Sequence, residues 1–147
     1  MAVSNLPWLQ GRSILLVDGD RAVRDAIYGL LEPYNCRMIM ASAGSDALVK
    51  VGTSPRVARL DAVITEMRLP DMNSYELVTR LQELLGPLAI ILMTRFGYDP
   101  NCLGKHVQSS KLLYKPFRSD QLFRALETAL VGNSAADGNQ CDDPKSL

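Results

Sequence analysis

The sequence predicts a doubly wound α/β fold: five strands in one parallel sheet, with helices on both faces. Short dense apolar runs, such as Ile14-Leu15-Leu16-Val17 and Ala89-Ile90-Ile91-Leu92-Met93, alternate with longer stretches of apolar residues at helical spacing. The runs are apolar at every position, whereas a strand with one wet face would alternate apolar and polar residues. Strands covered on both faces and separated by helical stripes imply crossover helices and a parallel sheet. A length of 147 residues gives room for one such domain.

The elements follow in order. Ile14 to Val17 is the first strand and ends at Asp18. Val23, Ala26, Ile27, Leu30 and Leu31 form a helical stripe that Pro33 stops, with Asp20 as its N-cap. Arg37 to Ala41 reads as the second strand and Ser45 to Val51 as a short helix. Ala62-Val63-Ile64-Thr65 is the third strand, followed after a loop by a helix around Tyr75 to Leu85. Ala89 to Met93 is the fourth strand, and a weak helical stretch lies between Pro100 and Ser109. Leu112-Leu113-Tyr114 is the fifth strand. Leu122, Ala125, Leu126, Ala129 and Leu130 form the stripe of a closing helix capped by Ser119. Met38, Met40 and Met93 read as core filler. The expected division is an N-terminal extension over 1–11, the domain over 12–131, and a flexible polar tail over 132–147.

Composition narrows the function. Apolar residues make up 47% of the chain, and sixteen basic residues balance sixteen acidic ones. A neutral chain has no bulk attraction for nucleic acid or anionic lipid, so neither is expected as a partner. Cys36, Cys102 and Cys141 are odd in number and far apart, which argues against a disulfide framework or a zinc site. Residues Met1 to Gln10 show no secretory pattern, and no apolar stretch approaches the roughly 20 residues that span a bilayer. A cytoplasmic location is the expectation. His106 has no ligand-spaced partner and reads as a surface residue. There is no glycine-rich nucleotide loop and no nucleophile triad, so catalysis is not expected.

In an open parallel sheet the loops at the carboxyl ends of the strands converge on one crevice. Those ends carry Asp18-Gly19-Asp20, Thr65-Glu66-Met67, Met93-Thr94-Arg95 and Tyr114-Lys115-Pro116-Phe117. Carboxylates there would ligate a hard cation, while a hydroxyl and an ammonium would contact phosphoryl oxygens.

These motifs carry a resemblance. Leu15-Leu16-Val17-Asp18-x-Asp20, then Asp61-Ala62-Val63-Ile64-Thr65-x-Met67-Arg68-Leu69-Pro70-Asp71-Met72, then Met93-Thr94, then Tyr114-Lys115-Pro116-Phe117 resemble the receiver domain of two-component response regulators. The likeness runs from about Arg12 to Val131. It implies a flavodoxin-like sheet in the order 2-1-3-4-5 and a cis bond before Pro116. It aligns Asp18 and Gly19 with an adjacent acidic pair, Glu66 with the phosphoryl-accepting aspartate, Thr94 with the switch hydroxyl and Lys115 with the family's lysine. The backbone carbonyl of Met67 would join Asp18 and Glu66 as a metal ligand, with Asp20 beside Asp18 in the acidic pocket.

The sequence departs from that pattern where the chemistry matters. Gly19 stands where a metal-ligating carboxylate is expected, and Asp20 faces the start of the helix instead. Glu66 carries one more methylene than aspartate, displacing its carboxylate by roughly 1–1.5 Å. Misplacement on that scale costs about 10²-fold in an in-line attack. Weakened metal binding compounds the loss, so Mg²⁺ is expected to bind weakly and no cofactor is required. Ser74 replaces a usual glycine, Arg95 replaces a small residue and is placed to cover part of the site, and Leu112 holds the place of an aromatic switch residue.

The expected function is therefore signalling by phosphorylation-independent protein binding. The partner would be a histidine kinase, an output protein or a second copy, docking, as the resemblance implies, on the face of the helix within 100–109, the fifth strand and the closing helix. Glu66 is either part of an inert scaffold or a stand-in for the phosphorylated state. The alternatives are a conventional Mg²⁺-dependent phosphoacceptor and a flavodoxin-like flavin or nucleotide protein.

Overall fold

The computed structural model describes residues 5–53, 59–95 and 111–131. The helix expected within 100–109, the tail, His106, Cys102 and Cys141 lie outside the described residues. The strands are β1 (Ser13–Val17), β2 (Arg37–Ala41), β3 (Ala62–Glu66), β4 (Ala89–Arg95) and β5 (Lys111–Lys115). The helices are α1 (Arg21–Leu31), α2 (Gly44–Thr53), α3 (Ser74–Leu85) and the closing helix α4 (Ser119–Leu130). All strand pairs are parallel, in the order β2-β1-β3-β4-β5. This is the sheet the sequence predicts. Among the described residues no helix is long and apolar enough to cross a membrane.

The uniformly apolar strands feed two cores by strict alternation. Leu15, Val17, Val63, Ile90 and Leu92 point to the face covered by Leu77, Val78 and Leu81 of α3 and Ala47 and Val51 of α2. Ile14, Leu16, Ile64, Ile91 and Met93 point to the opposite face, under Ile27 and Leu31 of α1 and Leu122 and Leu126 of α4. Met93 is fully buried, and Met38 and Met40 pack against the second core from the edge strand β2.

The N-terminal extension belongs to this second core. Leu9 has no exposed surface, and Leu6 and Trp8 pack beside it. Arg12 ties the segment down, donating from Nε to the Trp8 carbonyl at 2.6 Å and pairing through its guanidinium with Asp61 at 3.4 Å. The other Asp61 oxygen accepts from the Ser13 N–H at 2.8 Å.

Caps agree with the sequence at some helices and correct it at others. Asp20 caps α1, its Oδ1 accepting from the Ala22 N–H at 2.9 Å, and α1 ends at Leu31 ahead of a single 3₁₀ turn over Glu32–Tyr34. Ser119 is not the cap of α4 but its first helical residue. The cap is Arg118, whose N–H donates to Gln121 Oε1 at 2.7 Å while its guanidinium reaches Asp120 at 3.0 Å. The glutamine three residues ahead thus satisfies the backbone N–H of the cap residue, the bond that the third helical residue makes in a capping box. At the end of α3 the chain turns through Gly86 at φ +85°, a conformation that an L side chain rarely adopts.

Helix α2 starts one residue before, and ends two residues after, the expected Ser45–Val51 span because its cap comes from elsewhere. Asp71, in the loop after β3, accepts the Gly44 and Ser45 N–H groups on its two carboxylate oxygens, each at 2.9 Å. Met72 sits so close over Gly44 that a Cβ there would run into its side chain. The hydrogen bonds from Ser45 and Gly44 hold the Asp71 carboxyl down at about 2, against an ordinary 3.8. A depressed carboxylate stabilises the fold above its unfolded value and loses that contribution as pH falls toward its folded one. Asp71→Ala is thus expected to lower the thermal midpoint at pH 7, with the deficit shrinking as pH falls from about 4 toward 2. A deficit that did not change across that window would mean that the charge of Asp71 plays no part.

Candidate functional site

The carboxyl ends of β1, β3 and β5 bring three of the expected residues together. Asp18 follows β1, Glu66 ends β3 and Lys115 ends β5. Lys115 Nζ lies 2.7 Å from Asp18 Oδ2 and 3.5 Å from Glu66 Oε2. Asp18 is completely buried and its other oxygen accepts the Asp20 N–H at 2.8 Å. Two carboxylates thus share one ammonium. Burial, and then the charge of Asp18, push the Glu66 carboxyl above its ordinary range, against the pull of Lys115 and a hydrogen bond from the Gly19 N–H.

The remaining expected residues take other roles. Asp20 is exposed and its carboxylate caps α1, so only its backbone N–H joins the pocket. Thr94 is buried at the end of β4 and its hydroxyl donates to the Arg95 carbonyl at 3.3 Å. The Met67 carbonyl, expected as a metal ligand, accepts the Ser74 N–H at 2.9 Å inside the loop. The Ser74 hydroxyl, where the sequence departs from glycine, is buried without a hydrogen-bond partner. Arg95 is exposed, and Leu112 is half-buried against the first core, leaving no aromatic ring at that position. The Lys115–Pro116 bond is cis.

Sequence reasoning missed Arg24, whose guanidinium donates to the Asp18 backbone carbonyl at 2.6 Å. The signal was available: a helical side chain leans toward the N-terminus of its helix, and Arg24 lies four residues past the N-cap.

The donor set does not fit a divalent cation. Among the described residues no group of three or more carboxylate, imidazole or thiol side chains converges. The two carboxylates present are already held by Lys115, Gly19 contributes none, and Asp20 is turned away. Hard cations take six or more oxygen ligands, several of them charged.

A buried like-charge pair has a testable consequence. A carboxyl whose folded value is raised contributes stability below its unfolded value and loses it as pH rises through the folded one. Glu66→Gln is therefore expected to raise the thermal midpoint at neutral pH, with the gain vanishing below about pH 4.5, the ordinary value for glutamate. A midpoint at pH 7 below that of the natural protein would show the Lys115 contact outweighing the conflict with Asp18.

The geometry meets the comparison with known proteins here. The family model described as "Response regulator receiver domain" matches residues 14–127. The chain belongs to the response regulator receiver family. The receiver is 25% identical to Protein PilG of Pseudomonas aeruginosa over 121 residues, covering 80% of this chain and 86% of PilG. It is 28% identical to the transcriptional regulatory protein FixJ of Bradyrhizobium diazoefficiens, covering 80% of this chain but 56% of FixJ. Among solved structures, the chemotaxis protein CheY4 of Vibrio cholerae superposes with a TM-score of 0.69 at 25% identity, covering 82% of this chain and 99% of CheY4. The chain is a response regulator receiver domain of two-component signalling, a class of domain that works by interacting with kinases and output proteins.

Proposed function

We propose that this receiver signals by protein binding without taking up a phosphoryl group. The observation that carries the reading is the Lys115 ammonium held at 2.7 Å by fully buried Asp18, with Glu66 beside it and Gly19 offering no second metal carboxylate. A phosphoryl group arriving here would meet two carboxylates offset by a single ammonium that they already share. The Thr94 hydroxyl, donating to Arg95, supports an inert scaffold over a fixed phosphorylated-like state. The partner is a kinase, an output protein or a second copy of the chain, acting in the cytoplasm with no catalysis by the receiver itself. Half-exposed Tyr114 on β5 marks the side on which it docks.

The test is incubation with Mg²⁺ and acetyl phosphate, read by intact mass, with Glu66→Asp/Gly19→Asp alongside. A Cβ at Gly19 would meet only ordinary contacts, Pro70 Cγ at 3.7 Å and the Ser42 carbonyl oxygen at 3.8 Å, so the backbone accepts the change. The expected result is no adduct on the natural protein and a phosphoryl adduct on the double variant. A stable adduct on the natural protein, absent from Glu66→Gln, overturns the reading.

A further inference from the structure

We infer that the cleft between α1 and the turn joining β5 to α4 is a binding site for a small amphipathic carboxylate, an apolar chain ending in one anionic head. The cleft, open to solvent on one side, holds about 630 Å³, with walls of Val23, Ala26, Ile27 and Leu30 from α1 and Pro116 and Phe117 from the turn. That volume and that apolar lining are what small-molecule sites have. The α1 residues are the i, i+3, i+4, i+7 stripe that should be sealed against the core, yet only Ile27 is fully buried, while Val23 and Leu30 are half-buried and Ala26 is exposed.

The charge on the lining selects the head group. Among the described residues of the lining, the charged ones, Arg95 and Lys115, are cations, and none is a carboxylate. Among the described residues no ion pair is made by the exposed Arg95 guanidinium, a planar donor suited to a carboxylate. Lys115 is engaged by Asp18 and Glu66, which repel a doubly charged head and leave room for a single charge. An occupant would thus press on the ammonium that holds the two carboxylates. The inference stands whether or not Glu66 accepts phosphoryl groups.

Isothermal titration of the full chain with decanoate and with decanol, both below their aggregation limits, tests it. Decanoate is expected to bind at least about tenfold tighter than decanol, the worth of one charge-assisted hydrogen bond. Arg95→Ala is expected to erase that difference while leaving decanol binding unchanged, and Ala26→Trp to remove both. Both positions are exposed, and an unchanged thermal midpoint verifies each fold; should Ala26→Trp unfold, Arg95→Ala alone decides. Equal binding of the two compounds, binding of neither, or decanoate binding untouched by Arg95→Ala overturns the site. In that case the cleft is left to an apolar side chain of a docking protein.

Discussion

Replacing Lys115 with methionine is expected to destabilise the receiver by about 3–5 kcal/mol near neutral pH, the usual loss when one member of a buried ion pair is removed. Asp18 has no exposed surface and would lose its 2.7 Å partner, while Glu66 would lose the only cation facing it within 4 Å among the described residues. The buried Asp18 carboxylate and the part-buried Glu66 carboxylate would then face each other without a counter-charge. Because part of the penalty belongs to the Glu66 charge, it should shrink on acidification as that carboxyl, already raised, takes up its proton. Combining Lys115→Met with Asp18→Asn should recover most of the loss, since a neutral pair removes the uncompensated charge. Urea unfolding of the natural protein and the two variants measures all of this. A single-variant loss below about 1 kcal/mol would place the pair in the weak, solvated class of ion pairs.

Leu9→Ala is expected to cost about 2–5 kcal/mol, the range for deleting a buried leucine side chain when its surroundings relax only in part. Leu9 is fully buried in the core that also holds Ile14, Leu16, Ile64 and Leu126, although it precedes the first strand. Removing the side chain opens a void at the end of the sheet that Trp8 and Leu6 only partly cover. Urea unfolding decides this too: a loss under about 1 kcal/mol would mean that the segment closes over the gap.

The strands were legible because burial on both faces leaves no polar position to blur the run, as in Ala89–Met93. The rim residues were legible because a parallel sheet sends every strand end to one edge. That edge holds Asp18, Glu66 and Lys115, and the structure brings these three together. Leu9 was hidden, since six apolar or aromatic letters in a short N-terminal stretch carry no period. The Asp71 cap of α2 was hidden as well, because its donors lie 26 and 27 residues away. Local rules read a cap from its own helix; at α4 they point to Ser119 because serine is a common cap type and arginine is not. The direction of the Thr94 hydroxyl is a choice among rotamers that sequence does not record.

The room beside Gly19 has a consequence for the history of the domain. Nothing in the surrounding backbone has closed over the place where a second carboxylate would stand, and the Cβ contacts there are ordinary ones. On the proposed reading, the missing carboxylate at Gly19 is an absence of side chain and not of space. If the proposed reading holds, a lineage carrying this receiver could regain the carboxylate at position 19 without rebuilding the backbone around it.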